Sequence, residues 1–190
     1  MSVLLLAFTT IFIAEMGDRT QLLSLILATQ FRKPWPIIAG IFVATIANHA
    51  VAGLIGVWIG RFLTPTILDA AVGVSMIAMA VWALIPDKID ADTKTASRGA
   101  FVATLIAFFI AEIGDKTQLA TIALAAGYSH SVVWIIVGTT LGMLAANIPV
   151  VLLGNVFANR LPLKAIHYGA SALFTVIGIY FVVRAYMAWH

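Results

Sequence analysis

The sequence predicts an all-α integral membrane protein, six transmembrane helices arranged as a 3+3 inverted-topology repeat, and three observations predict it. The 190 residues are 62% hydrophobic and 10% charged, with a mean hydropathy of +1.05, whereas a soluble domain is about a quarter charged. The apolar residues gather into six segments, each near the ~20 residues that a spanning helix needs. An eleven-residue phrase, FIAEMGDRTQL at 12–22, returns as FIAEIGDKTQL at 109–119 with 9 of 11 residues identical.

The first segment, 3–29, opens at once and is too long for a signal-peptide core, so no cleaved leader is expected. It is apolar except around Glu15, Asp18 and Arg19. Pro34 and Pro36 precede the second segment, 36–60, and Pro65 precedes the third, 66–85, as suits residues that break helices. The polar stretch PDKIDADTKTASRG, 86–99, reads as a solvated link. The fourth segment is 100–127. The fifth, 131–158, holds Pro149 and is expected to kink there. The sixth is 164–188. Strand-like alternation is missing, which argues against a barrel. The expected organisation is one transmembrane domain over 1–190: a first three-helix repeat (1–85), a central cytoplasmic loop (86–99) and a second repeat (100–190).

Lys and Arg favour cytoplasmic loops. Arg32, Lys33, Lys88, Lys94, Arg98, Arg160 and Lys164 fall on one side and Arg61 and Arg184 on the other. That bias puts both termini on the non-cytoplasmic side of a multi-pass protein of the cell (inner) membrane. Trp35, Trp134, Tyr128, Tyr186 and Trp189 lie near segment ends and read as interfacial anchors. The net charge of +3 comes mostly from loops and speaks to topology, so no nucleic acid is expected as a partner. The lipid bilayer is; a homodimer is compatible with the sequence, which does not decide it.

Glu112 follows Glu15 by 97 residues, and ATIAN ending at Asn48 answers GMLAAN ending at Asn147, 99 residues on. This is an internal duplication. Each half holds three spans, an odd number, so the second copy must enter the membrane in the opposite direction. In that arrangement a binding site is expected near the midplane, between the repeats.

Four of the eight acidic residues, Glu15, Asp18, Glu112 and Asp115, stand in the repeated phrase; Asp69, Asp87, Asp90 and Asp92 are in loops or at segment ends. An acid at a helix centre costs roughly 2.5–3.5 kcal/mol to insert, and four cost on the order of 10 kcal/mol. That rivals the net stability of a whole protein, so such groups face a cavity or a partner. A spacing of three puts each Glu and Asp on one helical face, with Gln21 and Gln118 one turn on. Gly17 and Gly114, between the acids, permit close approach or local unwinding. With Thr20 and Thr117 the set is an all-oxygen, anionic site suited to hard cations such as Mg²⁺, Ca²⁺ and Mn²⁺. Asn48 and Asn147 either add amide oxygens or bond between helices; His49, which has no repeat partner, reads as a packing residue. Cysteine is absent, excluding thiolate metal sites and disulfides.

Arg19 and Lys116 each lie four residues from their Glu and beside their Asp, so pairing within the motif is expected when no metal is bound, unless they snorkel to an interface. If all six charges merely formed ion pairs they would fix helix register. The excess of acids over bases favours instead a site that trades protons for a divalent cation. A cation channel would use similar residues. An intramembrane hydrolase needs only two acids, and no nucleotide-binding loop is present, so neither an enzyme nor an ATP-driven pump is expected.

The doubled Glu-x-Gly-Asp-(Arg/Lys)-Thr motif resembles the cation transporter family once catalogued as uncharacterised protein family 16, which includes Golgi manganese/calcium transporters and bacterial manganese exporters of the MneA type. The resemblance covers essentially the whole chain. It implies that Glu15, Asp18, Glu112 and Asp115 hold the transported cation, and that Gly17, Arg19, Thr20, Gly114, Lys116 and Thr117 complete the motifs. The compact length implies the bacterial branch, hence secondary-active Mn²⁺ export by antiport, with Ca²⁺/H⁺ exchange as the alternative. No cofactor is expected; Mn²⁺, or Ca²⁺, is substrate.

Overall fold

The computed structural model describes residues 2–85, 99–154 and 163–189. The link charges Asp87, Lys88, Asp90, Asp92, Lys94 and Arg98 lie outside the described residues, as do Pro86, Arg160, Pro162, His190 and the end of the fifth segment. The side chain of Lys164 does too.

The described residues are helical. α1 (Val3–Glu15) starts at Ser2, whose hydroxyl accepts from the Leu5 N–H at 3.3 Å. α2 (Arg19–Phe31) closes at Arg32, whose left-handed backbone (φ 52°) returns its N–H to the Ala28 carbonyl at 3.0 Å. α3 (Pro34–Gly60) and α4 (Pro65–Trp82) each begin on a proline, whose missing N–H is no loss in a first turn. α5 (Ala100–Glu112) and α6 (Lys116–Gly127) repeat the pattern of α1 and α2. A 3₁₀ turn, Ser129–Ser131, leads into α7 (Val132–Leu153), which continues through Pro149, and α8 (Leu163–Trp189) follows.

The expected single segments 3–29 and 100–127 are therefore corrected: each is a pair of half-helices broken at the charged phrase. Helical periodicity says nothing about a break where both flanks are apolar. Four helical stretches are long and apolar enough to cross a membrane by length and composition: Pro34–Gly60, Pro65–Trp82, Ser129–Leu153 and His167–Trp189. Burial agrees with a lipid setting. Glu15, Asp18, Glu112, Asp115 and Lys116 are buried, whereas Leu54, Trp58, Ile110 and Val176 face outward. Trp35, Trp134, Tyr186 and Trp189 are exposed. Tyr128, half-buried at the end of α6, packs its ring edge-on against Phe181 at 5.6 Å.

Packing crosses between the halves. A Cβ on Gly138 would meet the Leu4 carbonyl, and one on Gly142 the Phe8 carbonyl, while Asn147 bonds Ser24; α7 thus runs parallel to α1 and α2. In the same way Gly40 abuts Thr104, Asn48 bonds Phe109 and Gly56 abuts Ala125, so α3 runs parallel to α5 and α6. α4 and α8 pack antiparallel, with Gly73 against Gly178 and Asp69 paired to Arg184 at 3.0 Å. Asp69, expected at a segment end, is buried in the second turn of α4, where Arg184 neutralises it.

Candidate metal centre

The repeated phrase is the backbone break itself. Glu15 is the last residue of α1 and Glu112 the last of α5. Met16 and Ile113 are extended, with φ −65° in both. Gly17 and Gly114 follow at φ 78° and 74°, a left-handed backbone that L side chains rarely adopt. Asp18 and Asp115 are then the N-caps of α2 and α6. Two stretches 97 residues apart thus share one conformation because they share the same glycine. This corrects the expectation that each Glu and Asp occupy one face of a continuous helix.

The glutamines hold the breaks. Gln21 Oε1 accepts from the Gly17 N–H at 2.8 Å and Gln118 Oε1 from the Gly114 N–H at 2.7 Å. Each reaches back from the third helical residue in the manner of a capping box. Gln21 also donates to the Ala146 carbonyl of α7 at 2.9 Å. The amide oxygens expected to face a metal are therefore engaged with backbone. The threonines orient the glutamates: Thr20 donates to Glu15 Oε2 at 2.5 Å, and Thr117 to Glu112 Oε2 at 3.1 Å.

Ion pairs join each base to an aspartate across the halves, where the sequence expectation was pairing within each motif. Arg19 Nη2 donates to Asp115 Oδ1 at 2.9 Å and to the Ala111 carbonyl at 2.5 Å. Lys116 Nζ pairs with Asp18 Oδ1. The reason is tertiary: the two broken helices cross at their breaks, so the neighbouring base in space belongs to the other repeat. The glutamates are left differently. Glu15 Oε1 and Glu112 Oε1 are buried with no hydrogen-bond partner. Carboxylate oxygens of Glu15, Glu112 and Asp115 lie within 4.8 Å of one another. Oxygens bound at 2.0–2.6 Å to one hard divalent cation lie at most about 4–5 Å apart, so these three need little movement to share an ion. Asp18 is not in that group. The half-helix ends add to the field, since α1 and α5 point the negative ends of their dipoles at the glutamates.

Asn48 and Asn147, expected either to add amide oxygens or to bond between helices, make bonds between helices. Asn48 donates to the Phe109 carbonyl at 3.2 Å, and Asn147 accepts from Ser24 at 2.7 Å while donating to the Met143 carbonyl at 3.1 Å. Both lie between helices. His49 is fully buried on α3, with neither ring nitrogen bonded. Ser24 escaped the sequence reading; it stands one turn beyond Gln21, and a buried serine on that face was its signal.

Apolar helices around buried carboxylates at two broken helices define a class, the integral membrane cation transporters. The family profile described as divalent cation/proton antiporter GDT1 matches residues 3–91 and 100–189, one stretch in each half. A Vibrio cholerae protein named as a candidate manganese exporter is 54% identical over 179 residues, covering 94% of this chain and 90% of that one. Protein PAM71, chloroplastic, of Arabidopsis thaliana is 27% identical over 205 residues, covering 90% of this chain and 54% of its own. The GDT1-like protein sll0615 of Synechocystis is 38% identical over 79 residues, covering 42% and 37%. No solved structure matches. The chain belongs to the GDT1 family of divalent cation/proton antiporters.

Proposed function

We propose that this protein exports Mn²⁺ from the cytoplasm by secondary-active antiport, with protons as the counter-flowing ion. The observation that carries the reading is the cluster of Glu15, Glu112 and Asp115 oxygens at two crossing helix breaks, with one oxygen of each glutamate unpartnered. Four carboxylates against two bases leave two negative charges, which one divalent cation or two protons neutralise. Such an exchange keeps the buried site neutral in both loaded forms, and burying a net charge in hydrocarbon is costly. The relative from Vibrio supports manganese as substrate. An all-oxygen donor set accepts Mn²⁺ and Ca²⁺ alike, so Ca²⁺ is the competing substrate.

In this reading the chain makes six passes. α1 with α2, and α5 with α6, each supply 25 or 26 helical residues, about 38 Å at 1.5 Å per residue, enough for a hydrocarbon core of ~30 Å. The halves have opposite orientation, as the parallel packing of α3 on α5–α6 and of α7 on α1–α2 supports. The termini lie on the non-cytoplasmic side of the inner membrane.

The test is Mn²⁺ uptake into everted membrane vesicles under an imposed proton gradient, comparing the wild type with Asp18→Asn and Asp115→Asn. Uptake in the wild type, abolished by either substitution and by collapsing the gradient, supports the proposal. Uptake indifferent to both substitutions overturns it.

A further inference from the structure

Arg19 and Lys116 are the least expected members of the site, because each pairs with the aspartate of the opposite half. We propose that the two bases are tethered counter-ions of the empty site, and that an arriving divalent cation must displace Arg19 from Asp115 to complete its ligand set. The inference deepens the transport reading above and rests on it.

Asp115 carries the argument. One of its oxygens belongs to the group within 4.8 Å of Glu15 and Glu112, yet its Oδ1 is bonded to Arg19 at 2.9 Å. A divalent cation on this carboxylate and the guanidinium on its Oδ1 would be like charges a few ångströms apart, so the two oppose each other at Asp115 electrostatically. Arg19 is not sealed in the site: its side chain is 34% exposed, and displacement would break its bonds to Asp115 and to the Ala111 carbonyl. The Lys116–Asp18 pair is dry by contrast, with side chains 5% and 0% exposed. Two bases at equivalent places in the repeat thus differ in their surroundings: Arg19, partly exposed, bonds Asp115 and the Ala111 carbonyl beside the clustered oxygens, whereas Lys116 is buried against Asp18. A permanent charge on a flexible stem suits the task. It neutralises the aspartate when the cation leaves, so the empty carrier has only the two glutamate charges left for protons to cover. It also weakens metal binding, which a carrier requires if the ion is to be released.

The experiment titrates Mn²⁺ into the purified full-length chain in detergent by calorimetry and measures Mn²⁺ transport by the same chain in proteoliposomes. Arg19→Gln removes the competing charge. The expected result is Mn²⁺ binding about tenfold tighter, the equivalent of one lost charge-assisted bond, together with turnover lowered several-fold as release slows. Arg19→Lys makes the first motif read like the second and recovers part of the lost turnover. Folded Arg19→Gln that binds Mn²⁺ no more tightly than wild type, or more weakly, overturns the inference, because losing a base that only holds the structure together does not tighten the site. The wild type gives a second readout should Arg19→Gln not fold. Phenylglyoxal modification of Arg19, followed by mass spectrometry, is expected to speed up severalfold at saturating Mn²⁺; an unchanged or slower rate overturns the proposal. A wild type that moves no Mn²⁺ at all fails the transport reading instead, so the two failures are distinguishable.

Discussion

Replacing Gly114 by alanine tests the break in α5–α6 by the sign of its effect. At φ 74° an L residue pays about 1–2 kcal/mol for the left-handed backbone. Against this, alanine gives back roughly 0.4–1 kcal/mol by restricting the unfolded chain. A Cβ at this position would meet nothing within 4 Å, so no steric clash enters and the net loss is about 1 kcal/mol. For a chain of this length that lowers Tm by roughly 2–4 °C. Were 100–127 one continuous helix, the same substitution would stabilise it by about 0.5–1 kcal/mol and raise Tm. Gly114→Asn, which tolerates the left-handed region, is expected to fall between alanine and wild type. The assay is thermal unfolding of the detergent-purified chain. A rise in Tm for Gly114→Ala refutes the break, and with it the placement of Glu112 and Asp115 at opposing helix ends.

Gln118→Ala leaves the Gly114 N–H without its acceptor and is expected to cost about 1–3 kcal/mol. Gln21→Ala removes a second bond to Ala146 as well, so its Tm should fall further; equal falls would show that the α7 contact contributes nothing. Gly142→Ala would bring a Cβ to 2.6 Å from the Phe8 carbonyl and 2.9 Å from the Phe12 nitrogen, both backbone atoms. Overpacking of that kind costs about 1–3 kcal/mol, measurable in the same unfolding assay. Gly169→Ala, where nothing lies within 4 Å, serves as the control that should lose no stability.

Charge at the wrong depth was legible without coordinates, and so was the duplication, because an acid in an apolar segment and an eleven-residue echo are both one-dimensional signals. The break was half legible. Asp18-Arg-Thr-Gln21 and Asp115-Lys-Thr-Gln118 carry an N-cap followed three residues later by glutamine, the signature of a helix start. Within an otherwise apolar run long enough to span a membrane, hydropathy masks that signature. Gly17 and Gly114 pointed to unwinding, but not to how completely it separates Glu15 from Asp18. The exchange of partners between Arg19 and Lys116 had no trace in the sequence. Which base meets which acid is decided by how two distant helices cross, and spacing along one helix favours the wrong pairing. Asn48 and Asn147 show the same limit, since their repeat positions mark them as equivalent while their bonds, one to a backbone carbonyl and one to Ser24, do not match.

The cross-half packing and the crossed ion pairs answer one physical problem. Each long helix of one half lies along the broken helix of the other, α3 on α5–α6 and α7 on α1–α2, so neither half alone buries its own motif. Each aspartate is neutralised by a base from the opposite half. Sliding one half against the other must therefore disturb both ion pairs together, and in low dielectric an unpaired charge is costly. With both pairs made the two glutamate charges still remain, so something else must supply positive charge. A divalent cation or protons on the carboxylates do so. On the transport reading proposed above, coupling between ion binding and movement of the halves then rests on electrostatics at this crossing point.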